Sequence, residues 1–149
     1  MAGTPTKILV ATDFSTTADR AEKLAFILAR RLRAELHVIH VRVIFEEPHM
    51  AEDQQLALDR LLSSTEDATL EALDRGRPSE PEFSVTTHLI KGISAAEAIT
   101  ETAADLGCDL IVMGTHGTGS LADAMIGSTA RRVVRRSTIP VLVVRLPEE

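Results

Sequence analysis

An α/β fold, an open five-stranded parallel sheet with helices on both faces, is predicted from three observations. Five segments of strand length and character alternate with four in which apolar residues recur every three or four positions, the order expected of βαβ units joined by right-handed crossovers. Two of the runs, Lys7 to Thr12 and Leu110 to Met113, are continuously apolar through their centres, as in strands covered on both sides. The chain has 149 residues, 44% of them hydrophobic, enough for one domain with a sizeable core and short for two.

Taken in order, the first strand is Lys7 to Thr12, with Asp13 at its carboxyl end. Ser15 or Thr16 is placed to cap a helix, Thr16-x-x-Asp19 forming a weak capping box, and Ala18, Ala21, Ala25, Leu28 and Leu32 make one apolar face that ends near Arg33. Leu36 to Val43 is the second strand. Phe45 to Ala51, with Pro48, is a loop, and Gln54 to Arg75 a long helix with Leu58, Leu61, Leu62, Thr65, Thr69 and Leu73 inward and its acids on a solvated face. Gly76, Pro78 and Pro81 end it.

Phe83 to Ile90 alternates apolar and polar side chains, which suits an edge strand. Ser94 with Glu97 predicts a capping box, and Ala95, Ala98, Ile99, Thr102 and Leu106 supply a helical face that Gly107 stops. After the fourth strand a short helix runs from Ser128 with Ala130, Val133, Val134 and Ser137 inward, and Arg135 and Arg136 suit the negative end of its dipole. Pro140 opens the last strand, Val141 to Val144.

The fourth strand feeds Gly114, Gly117 and Gly119, and the chain reaches Gly127 and Ser128 where the helical pattern resumes. A strand, a glycine-rich loop and a helix N-terminus together suit phosphate. Residues without Cβ let backbone N–H groups approach an anion, and the helix adds unpaired N–H groups and the positive end of its dipole. Ser128 or Thr129 is expected as N-cap or as a hydroxyl donor to a phosphate oxygen. Plain turn chemistry fits these glycines equally well at this point. A P-loop is excluded because no Gly-x4-Gly-Lys-Ser/Thr occurs. Gly117-x-Gly119-x-x-Ala122 imitates a dinucleotide fingerprint, but it follows the fourth strand, and Leu142 and Val143 stand where its acid belongs.

Composition removes several functions. A net charge of −6, with no Trp or Tyr, argues against nucleic acid or an anionic membrane surface as main partner. No apolar run approaches the length of a membrane span and residues 1–7 lack the apolar core of a secretory signal, so a cytoplasmic protein is expected. Cys108, alone in the sequence, reads as a small core residue. His37 and His40 would point to opposite faces of a strand and keep no ligand spacing with another residue, which disfavours a metal.

The glycine stretch resembles the nucleotide-binding signature of the universal stress protein family, Gly, two residues, Gly, nine residues, Gly, then Ser or Thr. Here Gly114, Gly117, Gly127 and Ser128 meet it, preceded by Met113. The resemblance extends over nearly the whole chain, through Ile8-Leu9-Val10-Ala11-Thr12-Asp13-Phe14-Ser15, His40-Val41 and Ser137-Thr138-Ile139-Pro140-Val141-Leu142-Val143-Val144. It implies strand order 3-2-1-4-5, flavodoxin-like, with the ligand beyond the strand ends between strands 1 and 4.

It also implies an adenine nucleotide, ATP or else ADP or AMP, with Mg²⁺ accompanying ATP. Asp13 would approach the ribose, the Val41 backbone the adenine, and Gly127, Ser128 and Thr129 the phosphates. Ala11, Thr12, Met113, Gly114, His116 and Gly117 are expected in the same site. Members with Gly-Thr-His-Gly often continue with a basic residue, whereas this chain has Thr118-Gly119-Ser120 and then Asp123, fewer cations for a triphosphate.

The leading expectation is therefore an ATP-binding, stress-response regulatory protein that is not an enzyme, slow hydrolysis staying open. Alternatives are a slow ATPase or nucleotidyl-transfer enzyme on the same fold, which would want a carboxylate cluster for Mg²⁺ beyond Asp13 and Asp123, and a nucleotide-free interaction module. A phosphoreceiver domain is excluded, since strand 3 ends in Leu89-Ile90-Lys91 without an aspartate. The apolar Val141 to Val144 strand, at a sheet edge if that order holds, is expected to pair with its twofold mate in a homodimer.

Overall fold

The computed structural model describes residues 3–44, 51–74, 84–116 and 126–146. The elements are β1 (Lys7–Ala11), α1 (Thr16–Leu32), β2 (Glu35–Val43), α2 (Glu52–Asp74), β3 (Val85–Gly92), α3 (Ala95–Leu106), β4 (Leu110–Gly114), α4 (Ser128–Arg136) and β5 (Val141–Val144). They form one five-stranded sheet in the order β3-β2-β1-β4-β5. Every neighbouring pair is parallel, and Ile8 of β1 lies beside Leu36 of β2 and Leu110 of β4. The expected fold class and strand order are both present.

Alternation along the strands splits the core in two. One face carries Ile8, Val10, Leu36, Val38 and Val112 against Ala21, Ala25 and Ala29 of α1 and Leu73 of α2. The other carries Leu9, Ile39, Ile111 and Met113 against Ala96, Ile99 and Ala103 of α3 and Ala130 and Val133 of α4. Because β1 is covered on both faces, Ile8, Leu9 and Val10 are all wholly buried, each contributing roughly 1.5–3 kcal/mol of transfer free energy. Alanines on the inner face of α1 bring that helix close to the sheet, which matters below.

Helix boundaries follow local chemistry. Ser15, not Thr16, caps α1, its hydroxyl accepting from the Ala18 N–H, and Arg33 ends the helix in a left-handed conformation. Ser94 caps α3 by accepting from Glu97 N–H, and Gly107, at φ 73°, stops it. At α4 the N-cap is Gly127, with no side-chain cap bond, so of the two roles open to Ser128 and Thr129 the N-cap is not the one they take.

Several faces differ from the periodicity reading. On α2, Leu73 is buried as expected, but Leu61 is 64% exposed and Thr65 also faces out. The helix instead turns Glu66 inward, because Arg42 of β2 (3.1 Å) and Lys91 of β3 (2.5 Å) give that carboxylate partners at the sheet edge. On α3, Ala96 and Ala103 are buried where Ala95 and Thr102 were expected, and Val134 of α4 is exposed. β3 is an edge strand, as its alternation suggested, although it starts two residues later than Phe83, which lies outside the described residues, as do the expected loop at 45–50 and the turn at 75–83.

His37 and His40 do lie on opposite faces. His37 Nδ1 and His88 Nε2 are 2.8 Å apart across β2 and β3, while His40 Nδ1 donates to the Thr12 carbonyl at 2.8 Å. Among the described residues no group of three His, Cys, Asp or Glu side chains is disposed to hold a metal. Burial pushes the Cys108 thiol up to about 11, in keeping with a core residue.

Asp109 ties the amino end of β1 to the start of β4. Its carboxylate accepts from the Thr6 N–H at 2.9 Å, the Lys7 N–H at 3.2 Å and the Thr6 hydroxyl at 3.0 Å. Partial burial pushes this carboxyl up, but these donors outweigh it and hold the group below the usual carboxylate range. A carboxylate with a depressed folded pKa contributes stability that is complete above its unfolded value, about 3.9, and is lost as pH falls through the folded value. Asp109→Asn should therefore be less stable than wild type by about 1 kcal/mol at pH 7, solvent screening limiting the effect. The deficit should shrink below pH ~4. Urea unfolding at several pH values checks this; a deficit that stays constant from neutral to strongly acidic solution would mean the charge plays no part.

Candidate functional site

The crossovers leaving the neighbouring strands β1 and β4 pass to opposite faces, since α1 and α4 pack on different halves of the core. Their divergence leaves a crevice at the carboxyl ends of the strands, the usual ligand position in such sheets. Here it is a cleft of about 440 Å³ lined by Ala11, Thr12, Asp13, Ala18, Val41, Ala95, Ile99, Met113, Gly114, Thr115, His116, Gly127, Ser128, Thr129 and Ala130. That volume is within the range of small-molecule sites.

One end is shaped by the β1–α1 turn. Thr12 N–H donates to the Ile39 carbonyl at 2.9 Å, and the Thr12 hydroxyl accepts from Phe14 N–H at 3.0 Å. Asp13 Oδ1 accepts from Ser15 N–H at 3.0 Å, a turn bond that fixes the direction of its carboxylate. Phe14 sits between them at φ 64°, unusual for a bulky side chain, with its ring 4.9 Å from that of His40. Val41 of β2 and Ala95 and Ile99 of α3 give the adjoining wall an apolar character.

The other end is built from the exit of β4 and the start of α4. Thr115 N–H donates to the Val144 carbonyl at 2.9 Å, and its own carbonyl accepts from Gly127 N–H at 2.6 Å. The Thr115 hydroxyl meets His116 Nδ1 at 2.8 Å and so orients the ring. The His116 carbonyl accepts from the hydroxyls of Ser15, at 3.4 Å, and Thr17. Ser128, Thr129 and Ala130 occupy the first turn of α4, where backbone N–H groups have no partner within the helix and the dipole is positive. The arrangement is apolar and carbonyl-bonded at one end and electropositive at the other.

Of the residues expected in the site, Ala11, Thr12, Asp13, Val41, Met113, Gly114, His116, Gly127, Ser128 and Thr129 all border this cleft. Gly117 lies outside the described residues, as do Gly119 and Asp123. Sequence reasoning missed Ala18, Ala95, Ile99, Thr115 and Ala130. Ala18, Ala95 and Ala130 stand in the first turns of helices that start at the strands' carboxyl ends, a position readable from the caps, but nothing local marks Ile99 or Thr115.

A doubly wound α/β domain with a cleft of small-molecule size at its switch point is the class that fold and site define. Residues 5–145 match the model of the universal stress protein family. A universal stress protein of Thermus aquaticus is 37% identical over 143 residues, covering 93% of this chain and 97% of the relative. UspA from Lactobacillus plantarum superposes with a TM-score of 0.80 at 27% identity, covering 94% and 97% of the two chains. A universal stress protein solved in complex with cAMP shares the fold, with a TM-score of 0.63 at 23% identity over 97% of this chain and all of that one. The chain belongs to the universal stress protein family. Among the described residues no helix is long and apolar enough to cross a membrane.

Proposed function

We propose that this protein is an adenine-nucleotide-binding regulator of the cytoplasm, with ATP, ADP or AMP held in the β1/β4 cleft and a stress response as its setting. The observation that carries this reading is the polarity of the cleft: an apolar wall of Val41, Ala95 and Ile99 at one end suits a base, and the amino end of α4 with Ser128 and Thr129 suits phosphates. Asp13, just past the end of β1, which lies between β2 and β4 in the sheet, is the acceptor for ribose hydroxyls. Any Mg²⁺ would arrive on the phosphates, with Asp13 as the nearby acid in the lining. The cleft offers donors to charge in ground and transition states alike, which favours binding without rapid turnover.

Mass spectrometry of the protein purified without added ligand, under non-denaturing conditions, tests the reading. The expected result is a retained adenine nucleotide, and ATP at about 100 times its Kd should stabilise the fold by roughly 2.7 kcal/mol. No retained mass and no stabilisation by millimolar ATP, ADP or AMP would leave an interaction module as the better description.

The reading extends to a homodimer paired through β5. This strand is a sheet edge of the sequence Val-Leu-Val-Val, and Leu142 and Ile27 of α1, which border one surface groove, are both exposed. An apolar edge without charge or bulge favours a cover.

A further inference from the structure

Two of the family signature's glycines border the cleft, yet a Cβ on either would meet the protein itself. A Cβ on Gly114 would come within 2.8 Å of the Thr17 hydroxyl and 2.9 Å of its backbone, and a Cβ on Gly127 within 2.9 Å of the Thr115 carbonyl oxygen. Neither glycine has positive φ. Each is small because another group must come close, and in each case the close approach disposes of a carbonyl. Gly127 N–H donates to Thr115 O, while Thr17, 5% exposed and pressed against Gly114, donates its hydroxyl to His116 O. Ser15 adds a second donor to that oxygen and lies 3.3 Å from the Thr17 hydroxyl.

A carbonyl oxygen facing an anion repels it, and an unpaired one in a cleft wall costs desolvation free energy. Thr115 and His116 both line the cleft beside α4. With their oxygens taken up by Gly127 and by α1, the donors at the start of α4 face a ligand without a competing acceptor. We infer that Thr17, which does not itself border the cleft, is a positioning residue for the phosphate end of the site: its hydroxyl holds the His116 carbonyl toward α1 and so sets the site's preference for an anion.

This inference rests on the proposed nucleotide site, and the two are tested separately by comparing adenosine with ATP. Calorimetric titration of wild type, Thr17→Val and Thr17→Ser is the experiment. Valine keeps the shape and removes the donor, and serine restores it. Thr17→Val should lose about tenfold or more in ATP affinity, with adenosine affinity changed less than about twofold, and Thr17→Ser should bind both as wild type does. Equal loss of adenosine and ATP in Thr17→Val, or unchanged ATP binding, would overturn the positioning role while leaving the nucleotide site intact. A wild type that binds neither ligand would remove the site and this inference with it. Should Thr17→Val fail to unfold cooperatively, Thr17→Ala takes its place; failure of both would make Thr17 a packing residue and overturn the inference.

Discussion

Gly127→Val is expected to lose the proposed ATP binding and also to weaken the fold. On sequence grounds the second effect is unexpected, since a glycine beside a phosphate can be replaced at the expense of the ligand alone. In the structure a Cβ there meets the Thr115 carbonyl oxygen at 2.9 Å. That oxygen cannot retreat freely: Thr115 is 1% exposed, its N–H is bonded to Val144, and its carbonyl accepts from Gly127 itself. Overpacking of this kind costs roughly 1–3 kcal/mol. For a domain of this size the melting temperature of the ligand-free variant should fall by about 3–10 °C. Wild type should gain about 5–10 °C from saturating ATP, and the variant nothing, while still melting in one cooperative step. A variant that kept the full ATP-dependent rise would move the phosphates away from α4.

Val143→Lys will convert the proposed dimer to monomer. Val143 is in the middle of β5, half-buried and opposite Met113 in the β4 register, and β5 has β4 on only one side. Burying a lysine charge in a pairing edge without a partner should raise the dimer dissociation constant by about a hundredfold or more. Sedimentation equilibrium at micromolar concentration is the measurement. A wild type that is monomeric there, or a lysine variant that stays dimeric, removes β5 as the contact.

How far these expectations could be read from residues differs by level. The element order followed from periodicity, and the caps at Ser15 and Ser94 from side chains that compete for backbone N–H groups. Strand order did not follow from periodicity, because a parallel sheet is arranged by crossovers whose destinations leave no local mark; it came through resemblance. On the inward face of α2, Leu58, Leu62, Thr69 and Leu73 lie as expected, but Leu61 and Thr65 face out and Glu66 was missed, because its partners Arg42 and Lys91 come from two different strands. Lys91, donating to Glu66, together with the Arg42 charge, keeps that carboxyl below its usual range against the opposing effect of burial. In the same way His88 comes to His37 only after the strands pair. The signature glycines were visible, but the Cβ contacts with Thr17 and the Thr115 carbonyl belong to three-dimensional packing.

The pairing of Ile8 with Leu110 has a consequence for how the protein is made. The two walls of the cleft come from opposite ends of the sequence, and they meet only when β4 docks beside β1. While the chain is being synthesised, β1, α1, β2 and α2 emerge first, with Asp13 in the β1–α1 turn and Val41 in β2, yet they have no β4 wall to complete a cleft. Contacts so distant in sequence form late, because loop closure must precede the gain from packing. The proposed nucleotide would therefore meet a complete cleft only on a chain released far enough for α4 to fold, so that its binding would select finished molecules over nascent ones.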